Sequence, residues 1–167
     1  MNVHLRIAAA LAFTVVARAE TPLPELDALK LYAGKWDVAV TDNASVKGEA
    51  SGQWILEGRF LQQSWSLDTE TPDAPKLSGT TMMTYDSTKR VYRAWHYFSN
   101  GSFAEADGTW DEASRTFTWT GRDAAKGTTV VTKASFDGDV EKWSIVTTKS
   151  SGEQVSSFGG TNTRRKP

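Results

Sequence analysis

Apolar and polar positions alternate with a period of two through most of the chain from Lys35 to Thr163. Trp36, Val38 and Val40 alternate with Lys35, Asp37, Ala39 and Thr41. Phe117 and Trp119 alternate with Thr116, Thr118 and Thr120, and Trp143 and Ile145 alternate with Ser144 and Val146. Successive side chains of a strand point to opposite faces, so this pattern predicts strands with one buried face. Ten are predicted: Lys35–Thr41, Ser45–Leu56, Arg59–Thr69, Leu77–Tyr85, Val91–Ser99, Ser102–Trp110, Arg115–Arg122, Thr128–Phe136, Glu141–Lys149 and Glu153–Thr163. In Val91–Phe98 both faces are mixed: Val91, Arg93, Trp95 and Tyr97 share one, and Tyr92, Ala94, His96 and Phe98 the other. Ahead of the strands, Leu26, Leu29 and Tyr32 recur at spacings of three, predicting a short helix within Thr21–Ala33 with Gly34 as its stop.

The connections are short. Asn100-Gly101 reads as a type I′ hairpin turn, and Glu57-Gly58, Asp137-Gly138 and Ser151-Gly152 as similar ones. Glu70–Lys76, with two prolines, is the one longer loop. A weak repeat links Tyr85-Asp86, Trp110-Asp111 and Phe136-Asp137. In each an aromatic ends a strand, Asp opens the turn, and a basic and an aromatic residue start the next strand. A spacing of 25 and 26 residues between these Asp positions is that of an up-and-down meander. Ten sequentially paired strands leave exposed edges unless the sheet closes, so the expected fold is an all-β, ten-stranded antiparallel barrel.

The N-terminus reads differently. Arg6 is followed by the apolar run Ile7–Val16 and then by Ala17-Arg18-Ala19. This is the layout of a secretory signal peptide, and ten apolar residues give only about 15 Å of helix, too short to span a bilayer. Cleavage after Ala19 would leave a single domain, residues 20–167, with 17 basic and 20 acidic side chains. The protein is then expected outside the cytoplasm, periplasmic or extracellular, with no membrane span. His4 would leave with the signal, making His96 the only histidine of the mature chain.

A formal charge of −1 gives no electrostatic footing for nucleic-acid binding, and the absence of cysteine excludes disulfides and thiolate metal sites. No His cluster suggests a metal, and Asp137-Gly138-Asp139 reads as a hairpin rather than a calcium loop. His96 alone could be a haem ligand or a general base, but nothing else in the sequence supports either, and no cofactor is expected. No Gly-x-Ser-x-Gly elbow is present. Glu105 and Asp107, two apart on one strand face, read as a solvated face rather than a catalytic pair.

With aromatics at 11%, a barrel interior can be either filled or lined. Trp65, Tyr85, Trp95, Tyr97, Trp119 and Trp143 are candidate cavity residues, with Arg59 and Arg93 as inward charges able to meet an anionic head group.

The segment Gly34-Lys35-Trp36, after a short helix and opening the first strand, resembles the lipocalin and wider calycin signature. The resemblance implies that Trp36, following Gly34, closes one barrel end and that a basic residue of the last strand, Arg164, Arg165 or Lys166, covers its ring. A resemblance over nearly the whole mature chain rests on longer motifs. These are Leu31–Val38, Trp54–Leu61, Tyr85-Asp86, Tyr92–Trp95, Gly108–Asp111 and the closing Arg-Arg-Lys. In these the chain resembles a bacterial lipocalin-like family known only as domain-of-unknown-function family fifteen-seventy-nine. That resemblance implies a barrel and a bacterial envelope or extracellular setting, and no activity.

Three functional readings follow. The first is non-enzymatic binding of a small apolar or amphiphilic ligand in the barrel cavity. The second is an enzyme on the same barrel using Asp/Glu, Tyr and Arg. The third is a packed structural or protein-interaction domain.

Overall fold

The computed structural model describes residues 23–41, 43, 45–69, 76–123 and 126–166. The signal-peptide segment and most of the Glu70–Lys76 loop lie outside these residues. The N-terminal helix is shorter than the periodicity predicts. One α-turn, α1 (Leu26–Leu29), runs directly into a 3₁₀ turn, α2 (Lys30–Tyr32). Ala33 is already extended, so the chain leaves the helix before Gly34, whose φ of +99° starts the first strand.

Ten strands follow: β1 (Gly34–Val40), β2 (Val46–Ile55), β3 (Phe60–Thr69), β4 (Leu77–Asp86), β5 (Val91–Phe98), β6 (Phe103–Asp111), β7 (Thr116–Asp123), β8 (Thr128–Asp137), β9 (Val140–Lys149) and β10 (Gln154–Arg164). Each pairs antiparallel with its neighbour in sequence, and β1 pairs with β10, closing the barrel. Closure removes both sheet edges. Asp86 Oδ1 accepts from the N–H groups of Thr88 and Lys89, and Asp111 Oδ1 from that of Ala113, fixing the turns in which Arg90 and Arg115 adopt positive φ. The Asn100-Gly101 turn is not type I′. Only Gly101 has positive φ (+83°), and Asn100 instead accepts the Ser102 N–H through Oδ1.

Cross-strand register and alternation define the inner face. Trp36 and Val38 of β1 face inward with Ala50, Leu61, Met83, Tyr92, Ala94, Ala106, Phe117, Trp119, Ala134 and Phe136, all buried. On β5 the inward set is Tyr92, Ala94, His96 and Phe98. Arg93, Trp95 and Tyr97 therefore face outward.

The two barrel ends differ. At one end α1 and α2 insert Leu26, Leu29 and Tyr32 between the strands, and all three are buried. Tyr32 packs edge-on against Phe136 at 5.0 Å between centroids and tilted against Phe117 at 5.5 Å. The β2–β3, β4–β5, β6–β7 and β8–β9 turns lie at this closed end. Toward the opposite end the inward positions lose their cover. Trp65, Leu67, Gly79, His96, Phe98, Gly121, Val130, Thr132, Ile145 and Thr147 are half-buried, and Leu77, Ala104 and Phe158 are exposed.

Candidate functional site

The half-buried inward residues gather at the barrel end away from the helix and define a candidate cup there. Its walls carry a recurring pair. Trp65 is directly opposite Gly79, Trp119 opposite Gly108, and Trp143 opposite Gly160. In each pair the indole lies over the glycine: a Cβ at 79 would stand 2.7 Å from Trp65 Cζ2, and one at 108 would stand 2.5 Å from Trp119 Cε3. A glycine without a side chain lets the ring lie along the wall, the arrangement by which an aromatic covers a strand glycine. Phe98 meets Trp65 edge-on at 5.9 Å, and Phe158 meets Trp143 in the same way at the same distance. Depressions of about 430 Å³ and 330 Å³ that reach Trp65 lie on the outer wall, the first lined by outward residues such as Ser64, Ser78 and Tyr97 and the second by Lys35, Glu49 and Arg165.

His96 stands within the cup. Its Nδ1 is 3.0 Å from Thr81 Oγ1, directly across on β4, and burial lowers its pKa from the ordinary histidine value. Below the cup, toward the closed end, lies a buried polar chain. Glu141 of β9 is 4% exposed, and its Oε2 accepts from Asn162 Nδ2 at 2.7 Å. Asn162 Oδ1 in turn accepts from Trp143 Nε1 at 2.9 Å. Burial raises the Glu141 carboxyl to about 7, with the Asn162 hydrogen bond and the Arg164 charge opposing the shift. Trp119 Nε1 donates to the Tyr32 hydroxyl at 3.0 Å. The buried polar groups named here are thus hydrogen-bonded, which removes most of the cost of burying them.

The residues proposed from sequence distribute as follows. Trp65, Trp119 and Trp143 face the interior; Trp119 is buried, and the other two are half-buried in the cup wall. Tyr85 faces inward too, but at the closed end, 5.1 Å from the Tyr92 ring. Arg59 lies in the β2–β3 turn at that end, where its carbonyl accepts from Thr84 Oγ1. Arg93, Trp95 and Tyr97 are corrected to the outer wall. There Arg93 pairs with Glu105 at 3.2 Å and Asp107 at 2.8 Å, both across on β6, and its guanidinium lies 5.4 Å from the Trp95 ring centroid. The same two acids hold the cation outside the barrel and account for their own spacing.

At the closed end Trp36 is fully buried, and Arg164 Cζ lies 4.0 Å from its ring centroid. Arg164 also donates to the carbonyls of Leu31 and Ala33, tying the last strand to the helix. Arg165 points outward to Asp37 and Glu49. Among the described residues no group of His, Asp and Glu is arranged to hold a metal, and no helix is long and apolar enough to cross a membrane.

Glu141, Asn162 and Thr81 escaped the sequence reading. The signal for Glu141 was present: it shares the parity of Trp143 and Ile145, so extending that face by one step places a carboxylate inside.

The fold is a closed lipocalin-like barrel. Among solved structures it is similar to the S-type phycobiliprotein lyase CPES from Guillardia theta, with a TM-score of 0.60 and 12% identity over 84% of this chain and 92% of that one. No family model and no curated protein matches the sequence.

Proposed function

We propose that this chain is an exported bacterial protein, processed after Ala19 to one domain, that carries a small apolar or amphiphilic molecule in the open half of its barrel. The carrying observation is the asymmetry of the interior. At the helix end Leu26, Leu29, Tyr32, Trp36 and Phe117 are buried, with Trp54, Tyr85 and Trp110 half-buried at the margin, whereas toward the opposite end Trp65, Leu67, Phe98, Val130 and Ile145 face inward and all stay half-buried. Apolar side chains left partly wet inside a closed barrel lose free energy that a ligand would restore, at roughly 25 cal/mol per Å² covered. The fold shared with a phycobiliprotein lyase is compatible with this reading, and the bacterial setting rests on the resemblance of the motifs from Leu31 to Asp111 to family fifteen-seventy-nine.

An enzymatic role would rest on Glu141, the carboxyl whose burial holds it near neutrality. Its oxygen is committed to Asn162 and shut off from the cup, so carriage is the better reading.

Native mass spectrometry of protein purified from its own host tests the proposal. A mature chain starting at Glu20 with a bound small molecule supports it. A chain that starts at Met1 in the cytoplasm removes the export claim, and a ligand-free mass together with no saturable response to amphiphiles removes the carriage claim.

A further inference from the structure

We infer that the cup selects an uncharged, planar ligand that hydrogen-bonds to Nε2 of His96 and disfavours anions. The inference rests on the carriage reading above and names the ligand class.

His96 supplies a single fixed polar contact. The Thr81 hydroxyl commits Nδ1 at 3.0 Å and so sets the ring's orientation, while Nε2 has no hydrogen-bond partner among the described residues and is not sealed from solvent. The neighbours across β6 and along β5 are Ala104, Ala94 and Phe98, none of which competes for it. The Phe98 ring is stacked near the imidazole at 6.4 Å and 28°. A ligand polar atom reaching this nitrogen would satisfy a group that is costly to cover with apolar surface alone.

Among the described residues, inward cations are missing where an anion would need them. Arg93 lies outside with Glu105 and Asp107, and Arg164 is spent on Trp36 and two carbonyls at the other end. Lys149, inward by register at the rim, is bound to Glu153 at 2.8 Å. Among the described residues the other inward charged groups are the acids Glu141 and Asp123, and Asp123 is paired at the rim with Lys126 at 3.1 Å. An anion entering this cup would shed water without gaining a counter-charge.

Planarity follows from the walls. The Trp65 and Trp143 rings lie along the barrel wall over Gly79 and Gly160, and Phe98 and Phe158 meet their edges. Flat conjugated ligands gain offset or edge contacts with such surfaces that a flexible chain does not.

A matched pair of probes tests this with the whole mature protein: N-phenyl-1-naphthylamine, uncharged, and 8-anilino-1-naphthalenesulfonate, nearly the same ring system with a sulfonate. The uncharged probe should bind at least tenfold more tightly. His96→Leu should weaken it several-fold while His96→Gln, which keeps a hydrogen-bonding group, retains most of the affinity. Ala104→Arg, at the exposed inward position beside His96, should raise sulfonate affinity without a comparable gain for the uncharged probe; because this site is exposed, it serves even if His96→Leu fails to fold. Equal affinity for the two probes, or a folded His96→Leu that binds like wild type, overturns the inference and leaves carriage standing. Binding of neither probe removes carriage, and this inference with it.

Discussion

The guanidinium of Arg164 stacks on the indole of Trp36, 4.0 Å from its centroid, and the two residues are directly paired across β1 and β10. The same guanidinium reaches the carbonyls of Leu31 and Ala33, so one side chain joins the closing strand, the first strand and the helix. Trp36→Ala should cost roughly 3–5 kcal/mol, as large buried aromatic truncations do. Arg164→Ala should cost about 1–3 kcal/mol, because a cation–π contact and two charge-assisted hydrogen bonds go together. Arg164→Lys should rescue little, since a single ammonium cannot reproduce the fork. Urea midpoints read all three, and an unmoved midpoint for Trp36→Ala would show that the indole does not seal the barrel.

Gly108→Ala should destabilise by about 1–3 kcal/mol through overpacking, because the new methyl would stand 2.5 Å from Cε3 of the buried Trp119 ring. A Gly108→Ala, Trp119→Leu double variant should lose less than the two single changes together. Additive losses in thermal melts would mean that the glycine is not there to seat the indole.

Glu141 makes stability depend on pH. Its carboxyl sits at about 7 in the folded chain and near 4.5 when unfolded, so the folded state holds the proton more tightly. The contribution is fully present below the unfolded value and is lost as pH rises through the folded one. Between about pH 4.5 and 7 the loss should approach 3 kcal/mol. His96, whose pKa burial lowers, acts in the opposite sense, losing stability as pH falls below its unfolded value of 6.5. The comparison is therefore between wild type and Glu141→Gln, which keeps an acceptor for Asn162. The variant should gain on wild type as pH rises from 5 to 8; parallel curves would place a charged Glu141 in the core.

Arg93→Ala should leave ligand affinity unchanged for anionic and neutral molecules alike, because its side chain lies on the outer wall with Glu105 and Asp107. Those partners are more than half exposed, so stability should fall by at most about 1 kcal/mol. A selective loss of anion binding in an equilibrium titration would mean that β5 presents its other face inward.

These residues also show what the sequence could and could not disclose. Ten strands were legible because alternation and Asp-led turns are local signals, and turns such as those at Asp86 and Asp111 are held by contacts within a few residues. The inner face of β5 was not legible. Alternation separates Arg93, Trp95 and Tyr97 from Ala94, His96 and Phe98 but does not say which set is inside; that is decided by Glu105 and Asp107 on β6, which hold the arginine out, and by Thr81 on β4, which pairs with His96. The Trp–Gly pairs were hidden for the same reason, since Trp143 and Gly160 meet only once the register of β9 and β10 is fixed. Trp36 stood out because Gly34 and the short helix lie beside it in sequence, whereas Arg164, which covers its ring, comes from the far end of the chain.

The central claim is that the open half of the barrel holds a small molecule. The most direct test is an equilibrium titration of N-phenyl-1-naphthylamine against the mature protein and against Thr132→Trp, which fills an inward, half-buried position opposite Trp119. The account predicts saturable one-to-one binding to wild type, with a dissociation constant in the micromolar range, or about 8 kcal/mol. It predicts loss of that binding in a Thr132→Trp variant that melts like wild type. Unsaturable uptake by wild type, or undiminished binding by the folded variant, would contradict it.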